Sequence, residues 1–239
     1  MKQTDILLSI LIPVFNEEHT LLPLLQKVNA LFSANGVRAE LIIVDDHSTD
    51  TSSLIITEFA EKQALIPVKT LRHDKNRGKG FAIRSGLVEA SGVYTIIQDA
   101  DLEYDPADIV RLLDYALTNN TSVVYGSRIL NRTNPYSYRS FYLGGRFVTF
   151  VTNCLYGLKI SDEPTCYKLF KTSLIRSIPL TCTGFEFCPE VTAKVAKMGY
   201  TIPEMAISYY PRSKDEGKKI VWFDGVKAIW VLFKYRFFN

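Results

Sequence analysis

The sequence predicts an α/β protein, a mainly parallel, Rossmann-like sheet flanked by helices and finished by an amphipathic helix. Three observations predict it. Apolar runs of strand length alternate with stretches whose apolar residues recur at helical spacing, the pattern of parallel strands joined by helical crossovers. The early runs stop in polar turns, as at Asn16-Glu17, Asp45-Asp46 and Asp99-Ala100-Asp101, which gathers those turns on the rim where such sheets bind ligands. The length of 239 residues, 47% of them hydrophobic, suffices for one large core, and no stretch has a linker's composition.

Leu7 to Phe15 is an apolar run and reads as a buried strand. It closes in Pro13-Val14-Phe15-Asn16-Glu17-Glu18 and passes into a helix capped by Asn16, with Leu21, Leu24, Leu25, Val28 and Leu31 on one face. Glu40 to Val44 is the second strand, ending in Asp45-Asp46-His47-Ser48-Thr49-Asp50 ahead of a helix to about Lys62. Val68 to Leu71 is the third, followed by the basic loop His73 to Gly80 and a helix from about Phe81 to Ala90. Tyr94 to Gln98 is the fourth and runs straight into acids.

Asp99, Asp101, Glu103 and Asp105 occupy alternate positions. An extended chain would turn all four to one side, where their repulsion calls for a cation or a set of hydrogen-bond donors. The same residues also suit a solvated turn before Pro106, so the spacing alone leaves metal site and turn both open.

Ile109 to Leu117 reads as helix and Ser122 to Tyr125 as strand. Beyond Gly126-Ser127-Arg128 the pattern loosens into a polar loop through Asn134-Pro135, then Arg139 and Gly144-Gly145-Arg146 before the apolar segment Phe147 to Leu158. Ser161 to Phe170 and Thr183 to Glu190 are motif-like, and Val191 to Lys197 is helical. We divide the chain into a domain over 1–211, with halves of about 1–126 and 127–211, and an arm over 212–239.

In the arm, Arg212, Lys214, Lys218 and Lys219 precede a helical run from Ile220 to Phe238. Trp222, Val226, Ile229, Phe233 and Phe237 form one stripe, with Asp224, Lys227 and Lys234 on another face. Such a helix suits the headgroup boundary of an anionic membrane or the domain's own core.

Composition narrows the functions. Lys+Arg 28 against Asp+Glu 25 gives no global charge for nucleic acid. No run approaches the roughly 20 uninterrupted apolar residues of a spanning helix, so any membrane contact is expected at the surface. Cys154, Cys166, Cys182 and Cys188 lack C-x-x-C spacing and no secretory signal is recognisable, so they are expected reduced, in the cytoplasm. No G-x-x-x-x-G-K-[ST] loop is present, and Gly78-Lys79-Gly80 lacks the third glycine of a dinucleotide fingerprint and follows the third strand instead of the first. His19, His47 and His73 are given no role.

The rim turns together fit a nucleoside diphosphate. Carboxylates accept hydrogen bonds from ribose hydroxyls and base N–H groups, Arg77 and Lys79 suit phosphate, and a divalent cation on hard oxygens would join diphosphate to acids. With Pro13-Val14-Phe15-Asn16-Glu17, Val44-Asp45-Asp46, Arg77-Gly78-Lys79-Gly80, Asp99-Ala100-Asp101-Leu102-Glu103, Gly126-Ser127-Arg128 and Asp162 to Lys168 in this order, the chain resembles the family 2 glycosyltransferases of the GT-A (nucleotide-diphospho-sugar transferase) fold, in particular the dolichyl-phosphate mannose synthase-like, polyprenyl-phosphate group.

The resemblance implies a donor half containing Pro13, Asn16, Glu17, Asp46, Lys79 and Asp99 as nucleotide-binding residues. It implies Mg or Mn on Asp101, with Glu103 beside it and Asp99 near. Arg128, Arg146 and Lys168 fall at acceptor-phosphate positions, Arg139 is expected to bind the acceptor phosphate with them, and Asp162 positions these cations. The catalytic set is then Asp101, Arg128, Asp162 and Lys168. The reaction implied is inverting, in-line transfer of a hexose from a GDP-mannose or UDP-glucose type donor to a polyprenyl or dolichyl phosphate, at the cytoplasmic face of a membrane held through the arm. A saccharide hydroxyl is the alternative acceptor and would need a base, for which Glu186 and Glu190 are candidates; their other reading is as acids at a helix amino end. A catalytically silent, membrane-surface nucleotide-binding protein is a second alternative, against which the intact Lys79, Asp99 and Asp101 speak.

Overall fold

In the computed structural model, which describes residues 6–136, 138–212, 219 and 222–238, the chain runs through alternating strands and helices before the order breaks. The first half comprises β1 (Leu8–Val14), α1 (Leu21–Ala34), β2 (Ala39–Asp45), α2 (Ser52–Lys62), β3 (Val68–Arg72), α3 (Lys79–Glu89), β4 (Tyr94–Ile97), α4 (Ala107–Thr118) and β5 (Val123–Ser127). The second half adds α5 (Arg139–Tyr156), β6 (Lys168–Lys171), α6 (Thr172–Ser177), α7 (Phe187–Lys197), β7 (Glu204–Ala206) and α8 (Trp222–Phe237).

One sheet takes the strand order β3-β2-β1-β4-β6-β5-β7. The strands β3, β2, β1 and β4 are mutually parallel, with Leu8 opposite Ala39 and Val14 opposite Asp45, so Glu17, Asp46 and Asp99 leave the sheet at the same rim. β1 and β2 are buried on both faces, as their mostly apolar runs require, and the buried Ser9 hydroxyl donates to Glu40 Oε1 between them at 2.7 Å. β6 is antiparallel to both neighbours, Ile96 facing Leu169 and Tyr125 facing Lys168. A reversed strand begins where its parallel neighbours end, so the loop carrying Asp162 reaches the same rim. Periodicity predicts neither β6 nor the short α6 and β7.

Asn16 is not a helix cap. α1 begins only at Leu21, behind Thr20, whereas Asn16 holds a left-handed backbone (φ 51°) and receives the Thr49 N–H on Oδ1 at 2.8 Å. The alternation of acids fails as well. Leu102 has φ 60°, which turns the backbone between Asp101 and Glu103, so the four carboxylates do not share one side.

α8 packs one face on α5 and α7, where Ala228, Val231, Leu232 and Tyr235 are buried with Val148 and Ala193. The stripe expected to do this points mostly outward: Trp222 is 78% exposed and Phe237 63%, with Ile229 alone among its members packed against the buried set. Both alternatives for the arm therefore keep a face.

Candidate active site

Three consecutive amides of the turn after β1 are claimed by the loop after β2 and the first residue of α2. Asn16 N–H donates to Ser48 Oγ (3.1 Å), Glu17 N–H to Ser52 Oγ (2.9 Å) and Glu18 N–H to Asp50 Oδ2 (3.1 Å). Glu18 is tied back to the same loop, accepting the Thr51 hydroxyl on Oε2 at 2.7 Å. Much of these two motifs thus builds the rim, and Asn16, expected on the nucleotide, spends its carboxamide oxygen on Thr49. Pro13 lies within β1, opposite Val44.

Asp46 is buried at the end of β2 and organises the basic loop. Its Oδ1 receives Arg77 N–H (2.9 Å) and lies 2.6 Å from His73 Nδ1, and Oδ2 receives Gly78 N–H (2.7 Å). Gly78 (φ 90°) and Gly80 are required by close approach: a Cβ on Gly78 would stand 2.6 Å from the Thr183 carbonyl oxygen, and one on Gly80 2.9 Å from the Cys182 and Gly184 carbonyl oxygens. The glycines seat a strip of the second half against the amino end of α3. Lys79, first residue of that helix, pairs with Asp99 at 2.6 Å and lies 5.5 Å from the Phe185 ring centroid. Burial alone would lower the Lys79 pKa, but Asp99 reverses this and holds the ammonium charged.

Asp101 accepts Glu103 N–H on Oδ1 (3.1 Å) and faces Arg212 Nη2 with Oδ2 (3.3 Å). Burial, then the nearby Asp99 and Glu103 charges, push its pKa up to about 7, with Arg212 opposing. Glu103 is held differently: Oε2 accepts the Tyr209 hydroxyl (2.7 Å) and Oε1 the Arg212 N–H (2.8 Å). Both Glu103 oxygens thus anchor the segment after β7, each accepting one hydrogen bond beside the Asp101 carboxylate. Asp105 leaves the cluster, pairing with Lys27 at 3.1 Å and accepting Ala107 N–H at the start of α4.

The fit to a divalent cation follows from these contacts. Among the described residues no three His, Cys, Asp or Glu side chains form a ligand cage. Asp101 is nevertheless a hard-oxygen donor in excess negative charge, with Asp99 beside it, which suits a cation shared with a diphosphate ligand.

On the other side, Arg128 and Asp162 form a two-pronged pair, Nε to Oδ2 at 2.8 Å and Nη2 to Oδ1 at 2.7 Å, with Arg128 N–H also on Oδ2. Burial would raise the Asp162 pKa, but Arg128 overrides it and keeps the carboxylate ionised. The guanidinium lies 5.0 Å from the Tyr209 ring centroid. Arg146 is exposed on α5 and donates to the Ser161 carbonyl (3.2 Å); Arg139 is exposed at the start of the same helix.

Two expected residues fall outside the site. Lys168 is fully buried in β6, its Nζ 2.5 Å from the Glu163 carbonyl oxygen and 4.0 Å from the Tyr125 ring centroid, so it is a core cation and not an acceptor-phosphate ligand. Glu190 is fully buried and accepts from Lys194, Tyr235, Thr181 and Cys182. Burial would raise its pKa, yet the Lys194 and Tyr235 hydrogen bonds and the two amides hold it at about 2, too weak and too enclosed for a base. Glu186, partly buried just before α7, is the candidate base that stays outside that buried network.

Sequence reasoning misses Arg212, Tyr209, His73 and Lys219. Arg212 Nη1 donates to Glu17 Oε2 (3.0 Å), and Lys219 Nζ to Glu17 Oε1 (2.7 Å) as well as to the Phe15 carbonyl. In sequence both belong to the basic approach to a membrane; the cue to another role is the aromatic pair and proline just before Arg212. Lys214 and Lys218 of that approach lie outside the described residues.

The family description Glycosyl transferase family 2 matches residues 9–178. Dodecaprenyl-phosphate galacturonate synthase of Rhizobium johnstonii is 28% identical over 217 residues, covering 88% of this chain and 61% of that protein. Dolichol-phosphate mannosyltransferase of Pyrococcus furiosus is 28% identical over 236 residues, covering 95% and 64%. The chain thus spans less than two thirds of the length of these curated relatives. The crystal structure of glucosyl-3-phosphoglycerate synthase from Mycobacterium tuberculosis in complex with Mg2+ and uridine diphosphate superposes with a TM-score of 0.73 at 17% identity, over 97% of this chain and 80% of that one, which shows a common GT-A fold. A family match running from β1 into the end of α6, through every rim turn described above except that of Arg212, makes this chain a member of glycosyl transferase family 2.

Proposed function

We propose that the protein transfers a hexose from a nucleoside-diphosphate sugar to a polyprenyl phosphate, with inversion. The observation that carries this is Tyr209, whose ring lies under Arg128 while its hydroxyl binds Glu103 beside Asp101. A cation for a phosphate and the carboxylate that neighbours Asp101 are thereby held on one aromatic side chain. The relatives named for dodecaprenyl- and dolichol-phosphate products point to the same acceptor class.

In this reading the Asp46-ordered loop and Glu17 flank the nucleoside, and Lys79 and Arg212 meet the diphosphate. Asp101, with Asp99, would hold Mg or Mn, which when bound offsets charge on the departing nucleoside diphosphate. Asp162 fixes Arg128 so that its remaining N–H groups orient the acceptor phosphate beside Arg146. A phosphate oxygen attacks the anomeric carbon, the new C–O bond forms as the bond to the nucleoside diphosphate breaks, and no proton need be removed because the phosphate is already ionised. The enclosure of Glu190 weakens the saccharide-hydroxyl reading, which then rests on Glu186.

A surface association with the bilayer completes the reading. No described helix is long and apolar enough to cross a membrane, whereas Trp222, Phe223, Trp230 and Phe233 of α8 and Phe147 and Phe150 of α5 are exposed, with Lys227, Lys234 and Arg236 nearby in α8. The test offers GDP-mannose or UDP-glucose with a polyprenyl phosphate and Mg or Mn, and measures lipid-extractable sugar. Transfer to an oligosaccharide with no lipid product would overturn the assignment.

A further inference from the structure

Glu190 has no part in the proposed chemistry, yet it is among the most heavily bonded side chains of the second half. Oε1 receives Lys194 Nζ (2.6 Å), Tyr235 Oη (2.7 Å), Thr181 N–H (2.8 Å) and Thr181 Oγ1 (3.0 Å), and Oε2 receives Cys182 N–H (2.8 Å). Tyr235 comes from α8, and its hydroxyl also lies 2.5 Å from Thr181 Oγ1. One carboxylate thus ties three separate pieces together: α7, the strip over 181–184, and the outermost helix.

The far side of that strip is the seat of the donor loop. The Thr183 carbonyl accepts Phe81 N–H at 3.0 Å, and the Cys182, Thr183 and Gly184 backbone closes on Gly78 and Gly80 so tightly that neither glycine has room for a Cβ. Between those glycines stands Lys79, paired with Asp99. A strip gripped by a charged acceptor on one side and by backbone contact on the other moves as a unit. Loosening the first grip displaces what rests on the second.

We propose that Glu190 and Tyr235 are positioning residues for the donor site, acting through the strip over 181–184 to set the height of Lys79 against Asp99. This deepens the proposed function and rests on it, since Lys79 matters here as a diphosphate ligand. It also makes α8 part of the donor site's support: the helix whose outer face carries Trp230 and Phe233 holds the donor loop from its inner face by one hydroxyl.

The test compares the full chain with Tyr235→Phe and Glu190→Gln, titrating GDP and UDP in turn by calorimetry with Mg present and following the Phe81 amide by hydrogen exchange. Tyr235→Phe removes only the hydroxyl and leaves Lys194 and the two amides on Glu190, so it stays folded even if Glu190→Gln does not. The expected result is a nucleotide affinity reduced about three- to ten-fold in Tyr235→Phe, the worth of one or two buried hydrogen bonds, with loss of protection at the Phe81 amide and an unchanged number of sites per molecule. A role confined to stability would lower the melting temperature and the folded fraction while leaving affinity per folded molecule and Phe81 protection alone, and that outcome overturns the proposal. If the unaltered chain binds neither nucleotide, the donor-site reading falls and takes this one with it; if it binds and Tyr235→Phe binds equally, only this one falls.

Discussion

Arg212 Nη2 lies 3.3 Å from Asp101 Oδ2, while Nη1 of the same guanidinium reaches Glu17 Oε2 at 3.0 Å. A residue that follows β7 thus stands between the acid at the end of β4 and the acid at the end of β1. Because it is the cation that opposes the rise in the Asp101 pKa, Arg212→Gln should weaken sugar transfer by about 100-fold, the scale of losing one fixed charge contact in a transition state. The acid limb of the pH–rate profile should also move upward, since Asp101 then ionises later. Steady-state rates from about pH 5 to 9 check both; an unmoved acid limb separates Arg212 from Asp101.

Asp101 itself gives a stability prediction with a definite sign. Its folded-state pKa, near 7, lies above that of an unfolded aspartate, so the native state binds the extra proton and stability declines as pH rises from about 4 to about 7. Asp101→Asn should therefore raise stability above pH 7 by about 4 kcal/mol, or roughly 8–16 °C in melting temperature, and make little difference below about pH 4. The same variant should abolish transfer. Thermal unfolding across pH, without added metal or nucleotide, measures the first effect apart from the second.

Lys168 and Arg128 should part company. Lys168→Met leaves the buried Glu163 carbonyl without its donor and should cost about 1–3 kcal/mol of stability, with the KM for polyprenyl phosphate unchanged. Arg128→Lys keeps a charge but loses the two-pronged grip of Asp162, and should raise that KM about ten-fold or more with a smaller stability change. Denaturant unfolding and acceptor titrations, run on both variants, decide.

The membrane reading is best tested on the outer face of α8. Removing the helix would strip Ala228, Val231, Leu232 and Tyr235 from α5 and α7, so a deletion confounds binding with folding. Trp230→Glu with Phe233→Glu leaves that inner face intact and should abolish flotation with anionic, polyprenyl-phosphate-containing liposomes while nucleotide binding persists. Unchanged flotation removes α8 from the membrane reading.

Chelation should act on turnover and not on the fold. Asp101 and Asp99 offer too few ligands to hold a cation without a diphosphate, so EDTA should stop transfer yet shift the melting temperature of the nucleotide-free protein by less than about 1 °C.

The strands β1, β2, β4 and β5 were legible because their burial leaves apolar runs, the half-exposed β3 from its place between two helical stretches, and the rim because its motifs sit where those strands stop. β6 was not: four residues beginning and ending in lysine carry no strand signature, and only its place between β4 and β5 makes it one. The misread site residues share one cause. A charged residue in sequence looks like surface or chemistry, and nothing local reveals that Lys168 caps a buried carbonyl, that Glu190 is wrapped by donors, or that Arg212 folds back on β1. Leu102 hid a different fact, since a left-handed leucine between two acids has no sequence signal, yet it decides which carboxylates meet.

The reversed β6 separates two kinds of variation. The chain over 128–167 leaves the rim at the end of β5 and returns to it at the start of β6, so it behaves as a cassette whose two attachment points are neighbouring, hydrogen-bonded strands. Its length and content can change without shifting the register of β1, β2, β3 or β4. In the proposed reading this stretch carries the acceptor side, so a chimera joined at Ser127 and Lys168 should transplant acceptor preference while the rim turns of β1, β2 and β4 stay as they are.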